Sequence, residues 1–205
     1  GVGEVREEKH RGIGVAMGHR LSEPLVAALE KAGLSGRAFA DAGAMKWSKL
    51  LTNLTGNATS AILDRTVAEL FSDKRTYGLE VAVLRECLAV MKALGHGVVD
   101  LPGTPVRALA LATRLPRFIA QPALTRALGA GRGDKMPSFH IDLHGGRGRT
   151  EVSFLNGAVA RYGAEAGVPT PVNALLTSTL EALTAGQADI ETYRHNPDAL
   201  LARLR

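Results

Sequence analysis

Cysteine is nearly absent from this chain: Cys87 stands alone among 205 residues, which excludes an internal disulfide and any cysteine-based metal cluster. Set among Leu84, Leu88 and Met91 at helical spacing, it reads as a small buried hydrophobe rather than a nucleophile. Aromatic residues make up only 4% of the chain. A core must therefore be built mostly from Leu, Ala and Val, the usual composition of packed helices, and the expected fold class is mainly α. No apolar run approaches the roughly 20 residues needed to cross a bilayer, and the segment from Gly1 to Arg20 carries charges where a secretory signal needs its apolar stretch. The expected location is the cytoplasm, with no membrane partner. A Ser-His-Asp order and a Gly-x-Ser-x-Gly elbow are also missing, so acyl transfer has no support. The glycine-rich tract Gly129 to Asp134 lacks both the closing Gly-Lys-Ser/Thr and the preceding strand that a phosphate loop requires.

What is present is a 45% hydrophobic chain with a formal charge of +5, enough to form a real core. The charge is scattered, apart from a loose cluster of Arg132, Lys135, Arg147 and Arg149. Nucleic-acid surfaces pair such residues with exposed aromatics or a recognisable motif, and neither is found, so no nucleic-acid partner is expected. A phosphorylated small molecule or a plain solvated loop accounts for the cluster equally well.

Taken in order, residues 2–18 place Val2, Val5, Ile13, Val15 and Met17 among glycines and charges, which predicts one or two short strands with a turn around Lys9 to Gly12. Ser22 is a candidate N-cap, with Pro24 inside the start of a helix running to a stop at Gly33, and Arg37 to Ala40 reads as another short strand. From Gly43 the pattern turns helical. The stretch Lys46 to Leu63 reads as one long helix, Asp64 to Leu70 continues or restarts it, and Gly78 to Leu94 is a core helix stopped by Gly95. Residues 98–137 are punctuated by five prolines into shorter apolar pieces. Thr150-Glu151 is read as opening a helix with Phe154, Leu155, Ala158, Val159 and Tyr162 on its apolar face. Val172 to Leu183 forms a last long helix, followed by a short one at Pro197 to Leu204.

Three polar features stand out. Lys49, Asn53 and Asn57 recur every four residues, which on a continuous helix places an ammonium and two carboxamides in one row, roughly 6 Å apart. Such a donor strip suits a small oxygen-bearing ligand. A partly desolvated lysine can protonate a carbonyl oxygen that gains charge, while the asparagines orient the carbonyl or a carboxylate. Ser138, beside Pro137, and Glu151, at a helix start, are the other two; the glutamate is equally explained by the helix dipole. His140 and His144 have a spacing that suits a metal only on one continuous helix, which Gly145-Gly146 argues against. With no carboxylate evident nearby, no metal site is expected.

The pattern Trp47-x-Lys49-x-x-x-Asn53-x-x-x-Asn57, then Pro137-Ser138-x-x-x-Asp142, Gly146-Arg147-x-x-Thr150-Glu151-Val152, Leu155-Asn156-Gly157-Ala158-Val159 and Gly167-Val168-Pro169-Thr170-Pro171-Val172-Asn173 resembles the C-terminal half of the ketopantoate reductases, or 2-dehydropantoate 2-reductases. The resemblance implies NADPH-dependent reduction of a 2-keto acid to a 2-hydroxy acid in a cleft between a Rossmann domain and a helical domain. It further implies Lys49 as proton donor, Asn53, Asn57 and Ser138 as substrate-binding residues, and Glu151 as a contact to the cofactor ribose. The pantothenate pathway and a homodimer formed through the helical domain follow from the same likeness.

Residues 1–42 then correspond to the C-terminal edge of a truncated nucleotide-binding domain and residues 43–205 to the helical substrate-binding and catalytic domain. The glycine-rich nucleotide loop of the family has no counterpart here, and its further substrate asparagine falls near Val67. Enzymatic activity is therefore expected only in the company of a Rossmann domain. The alternatives are a helical dimerisation or ligand-binding module that has lost catalysis, and a basic nucleic-acid binder.

Overall fold

The computed structural model describes residues 3–4, 10–132 and 135–204, with backbone only for 129–132. Val2, Val5, Lys9 and the side chain of Arg132, named above, lie outside the described residues. Strand β1 (Ile13–Ala16), helix α1 (Ser22–Lys31) and strand β2 (Gly36–Phe39) form a β-α-β unit whose two strands pair in parallel, Ile13 opposite Gly36 and Ala16 opposite Phe39. Helices α2 (Ala42–Leu54), α3 (Asn57–Leu63), α4 (Val67–Ser72), α5 (Lys74–Ala93), α6 (Val106–Ala112), α7 (Arg117–Arg132), α8 (Ser138–His144), α9 (Asn156–Glu165), α10 (Pro171–Thr184) and α11 (Pro197–Leu201) follow. The mainly helical class expected from the scarcity of aromatics is what forms.

Helix α5 is the centre of the helical part and packs against α2, α4, α6, α9 and α10. Its Val83, Leu84, Cys87 and Val90 are fully buried, joined by Leu51, Ile62, Leu70, Phe71, Leu176 and Leu180 from its neighbours. Burial pushes the Cys87 thiol up, as its placement in the apolar run requires. Helix α10 is anchored to α5 by a carboxylate: Glu86 accepts hydrogen bonds from the backbone N–H groups of Val172 (2.8 Å) and Asn173 (2.9 Å) and from the Asn173 side chain (2.7 Å). Pro171 at the first helical position cannot donate, so the carboxylate sits on the first N–H groups that can.

Several expected boundaries move for local reasons. Ser22 is the first helical residue rather than the cap, because its hydroxyl donates to the Ala16 carbonyl (2.9 Å) and ties the helix to the end of β1. Helix α5 begins at Lys74, with Gly78 inside it, because Asp73 caps it by accepting from the Arg75 N–H. Glu151 opens a single 3-10 turn, Val152–Phe154, and not a long helix; the chain bends at Leu155 before α9 starts. Phe154 is consequently 75% exposed and Tyr162 39%, off the expected apolar face. Tyr162 instead packs edge-on against Trp47, with ring centroids 5.6 Å apart.

Asp73 joins α4 to α5 and carries an acid-sensitive share of the stability. Hydrogen bonds from the Arg75 side chain, then from its backbone N–H, with Arg65 in support, hold its carboxyl down to about 2 from an ordinary 3.8. A carboxylate whose pKa is depressed by folding stabilises the fold fully above its unfolded pKa and loses that contribution as pH falls toward the folded one. With the side chain 22% exposed, the share is on the order of 1 kcal/mol after solvent screening. Urea midpoints of wild type and Asp73→Asn should therefore differ at pH 6 and converge between pH 4 and pH 2; a gap that stays constant to pH 2 would remove Asp73 from this role.

Candidate functional site

Asp41 sets the direction of α2, its carboxylate accepting from the Ala44 N–H at 2.9 Å. That bond, more than any other, holds the Asp41 carboxyl below the usual range, aided by the nearby His96 imidazole. Buried Ser48, on the inner face of α2, accepts from the Val99 N–H (3.0 Å) and so pins the following loop alongside the helix. That loop reverses at Leu101-Pro102-Gly103-Thr104, where Leu101 and Thr104 exchange backbone hydrogen bonds and Gly103 takes φ +63°. Proline then glycine at the two central positions is what such a turn requires.

Between this turn, α2 and β1 lies a cleft of 360 Å³ lined by Arg11, Gly12, Gly14, Met45, Lys46, Lys49, Leu101, Pro102 and Thr104. Gly12 lets β1 run close to the turn: a Cβ there would stand 2.6 Å from the Ser35 carbonyl and 3.0 Å from Pro102. Among the described residues the lining carries three cations and no carboxylate, so it suits an anionic ligand. Lys49 is exposed, and Asn53, one turn further along the same face, is half-buried; neither side chain makes a hydrogen bond or ion pair among the described residues.

The expected row of three polar residues is broken. Helix α2 ends at Leu54, Thr55 is extended, and Gly56 takes φ +67° as the residue before α3. The buried carboxylate of Glu80 accepts from the Gly56 N–H at 2.7 Å, and a Cβ at Gly56 would stand 2.8 Å from Val67. Asn57 therefore begins a new helix and points elsewhere. Its carboxamide oxygen accepts from the Phe139 N–H (3.1 Å), and its nitrogen lies 3.4 Å from the Ser138 hydroxyl, a long and weak bond. The structure thus brings Asn57 to Ser138, at the start of α8, and sets Lys49 and Asn53 on the preceding helix. Glu151 is exposed and shares no hydrogen bond with any of these four among the described residues.

Sequence reasoning missed Arg11, Lys46 and Thr104 as cleft residues. Lys46 lies three residues before Lys49, a helical neighbour, and the Pro102-Gly103 dipeptide announces the turn that carries Thr104. Arg11 has no such signal, because it reaches the cleft through the tertiary placement of β1.

A nicotinamide cofactor is a poor fit to these residues alone. The link from β1 to α1, Met17-Gly18-His19-Arg20-Leu21, holds one glycine, where the dinucleotide fingerprint needs three to turn tightly and admit the pyrophosphate. Exposed Glu151 offers an acceptor for ribose hydroxyls and nothing for phosphates.

The family model described as ketopantoate reductase PanE/ApbA C terminal matches residues 41–184. The 2-dehydropantoate 2-reductase of Pyrobaculum aerophilum is 30% identical over 173 residues, which are 84% of this chain and 54% of the relative. In fold, the chain is similar to a PanE/ApbA family ketopantoate reductase from Ralstonia eutropha, with TM-score 0.70 and 24% identity over 89% of this chain and 54% of that one. It is also similar to D-mandelate dehydrogenase solved with NADH and anilino(oxo)acetate, with TM-score 0.61 and 21% identity over 84% of this chain and 85% of that one. The chain spans about half the length of the curated relative described above.

Proposed function

We propose, from the premise that this chain belongs to the ketopantoate reductase family through its C-terminal domain, that it supplies the substrate-binding and catalytic half of an NADPH-dependent 2-keto acid reductase. Residues 43–205 form that half, and residues 1–42 are the edge of the nucleotide-binding domain that completes it. The substrate is 2-dehydropantoate or a related 2-keto acid, reduced to the 2-hydroxy acid.

The observation that carries this reading is Lys49 at the cleft wall, with Asn53 next along the same helix face and two further cations, Arg11 and Lys46, beside it. A 2-keto acid brings a carboxylate and a ketone. Arg11 and Lys46 attract the carboxylate, and Asn53 offers a fixed N–H to the substrate oxygens. A nicotinamide cofactor, if held by the companion domain, would be the source of the hydride. As the carbonyl oxygen gains charge, the Lys49 ammonium donates the proton that completes the hydroxyl. Exposed Ser138 forms the next part of the substrate surface, with buried Asn57 behind it holding the start of α8, and Glu151 meets the ribose from the helical side.

Because the phosphate-binding part is supplied from outside, residues 1–205 alone should oxidise NADPH with 2-dehydropantoate no faster than a blank. The same residues joined to a family Rossmann domain should do so at an ordinary enzymatic rate, about 1–1,000 per second. Turnover by the isolated 205 residues, or a joined and folded protein inert toward every 2-keto acid offered, would each sink the reading.

A further inference from the structure

Away from the cleft, two histidines and an aspartate meet at the other end of α3. His140 and His144 lie on one continuous helix, α8, contrary to the break expected from Gly145-Gly146, and their rings stack with centroids 4.1 Å apart and planes 20° from parallel. The carboxylate that sequence reading could not find is Asp64, 76 residues away, whose Oδ1 lies 2.7 Å from His140 Nε2. His144 Nε2 lies 3.0 Å from the Ala61 carbonyl oxygen, one of those α3 leaves open at its C-terminal end. One donor atom from each of Asp64, His140 and His144 falls within 4.8 Å of the others, and all three side chains are partly buried.

We propose that Asp64, His140 and His144 bind one divalent transition-metal ion, zinc before others, at the junction of α3 and α8. Two imidazoles one helical turn apart with a carboxylate opposite them form a donor set suited to zinc. Facing a carboxylate and a carbonyl oxygen, each Nε2 is a donor when no ion is bound; moving those protons to Nδ1 turns the same nitrogens into ligands. Zinc bonds of roughly 2.0–2.2 Å place ligand atoms about 3.4 Å apart, so the 2.7 Å pair of Asp64 and His140 must open slightly and separations approaching 4.8 Å must close, adjustments within reach of side-chain rotation. The Asp64 backbone takes φ +50°, the left-handed conformation in which helices commonly end, which stops α3 at this point.

Surrounding groups define how the ion sits. Arg194 Nε lies 3.4 Å and His195 Nε2 4.0 Å from Asp64 Oδ2. The second carboxylate oxygen is thus taken by a cation, and the ion uses Oδ1 alone. The Ala61 carbonyl or water completes the coordination. The bound ion would tie the C-terminal end of α3 to α8, the same two helices that Asn57 and Ser138 join at the other end of α3.

The test is a zinc chloride titration of the tag-free chain after chelator treatment, followed by calorimetry. One ion per chain is expected, with a thermal midpoint raised by at least about 3 °C at saturation. Asp64→Asn and His144→Ala should each weaken binding at least about tenfold, while His19→Ala, an exposed histidine elsewhere, leaves it unchanged. Cobalt(II) absorption provides a separate reading on wild type, where a four-coordinate site gives visible bands far more intense and at longer wavelength than those of the octahedral aquo ion. Absence of stoichiometric zinc binding by wild type, or zinc binding indifferent to both Asp64→Asn and His144→Ala, overturns the proposal.

Discussion

Lys49→Ala, made in the protein that joins this domain to its nucleotide-binding partner, should lower kcat by about 10²–10⁴-fold, the usual contribution of a positioned general acid. The loss should fall on kcat and kcat/KM together, since the proton is delivered only as the carbonyl oxygen gains charge. Stability should barely move: Lys49 is exposed and its side chain has no hydrogen bond or ion pair among the described residues, so the unfolding free energy should change by less than about 0.5 kcal/mol. Lys46→Ala is the informative control. Lys46 lines the same cleft about one helical turn before Lys49, so its removal should raise KM for an anionic substrate and spare kcat. An unchanged kcat in Lys49→Ala would take the lysine out of the chemistry and leave it as one more cation attracting the substrate.

The two lysines also mark what a sequence makes legible. Lys49 stands out because its neighbours at four-residue intervals are polar in an otherwise apolar helix, a local pattern that periodicity detects. Helix stops at Gly33 and Gly95, and the last long helix read from Val172, are equally local, and each lies within a residue or two of where the chain turns. The break at Gly56 escaped the same reasoning. Its cause is tertiary: the buried Glu80 carboxylate, 24 residues away, holds the Gly56 N–H, and Val67 fills the space beside it. A single left-handed residue shifts the face of everything after it, so Asn57 left the row while the apolar pattern on either side stayed helical. Asp64 was invisible as a partner of His140 for the same reason, since only the packing of α3 on α8 brings them together.

That break separates two asparagines that look equivalent in the sequence, and it predicts that they fail differently. Asn57→Ala removes the acceptor of the Phe139 N–H, a buried donor at 3.1 Å, and leaves it without a partner. The cost of such an orphan is about 1–3 kcal/mol, a midpoint lowered by several degrees. Asn53→Ala removes a half-buried carboxamide that bonds to nothing among the described residues, so its stability should stay within about 0.5 kcal/mol of wild type. Its cost should appear instead as weaker binding of the keto acid, about 1–3 kcal/mol of lost hydrogen bonding to a charged substrate. Asn57→Asp sharpens the contrast, because a carboxylate still accepts from Phe139 N–H but has no N–H to offer Ser138. Near-wild-type stability in Asn57→Asp with a large loss in Asn57→Ala would assign the stabilising role to the 3.1 Å bond rather than the 3.4 Å one. Equal stability losses at positions 53 and 57 would mean that the helix break does not divide their roles.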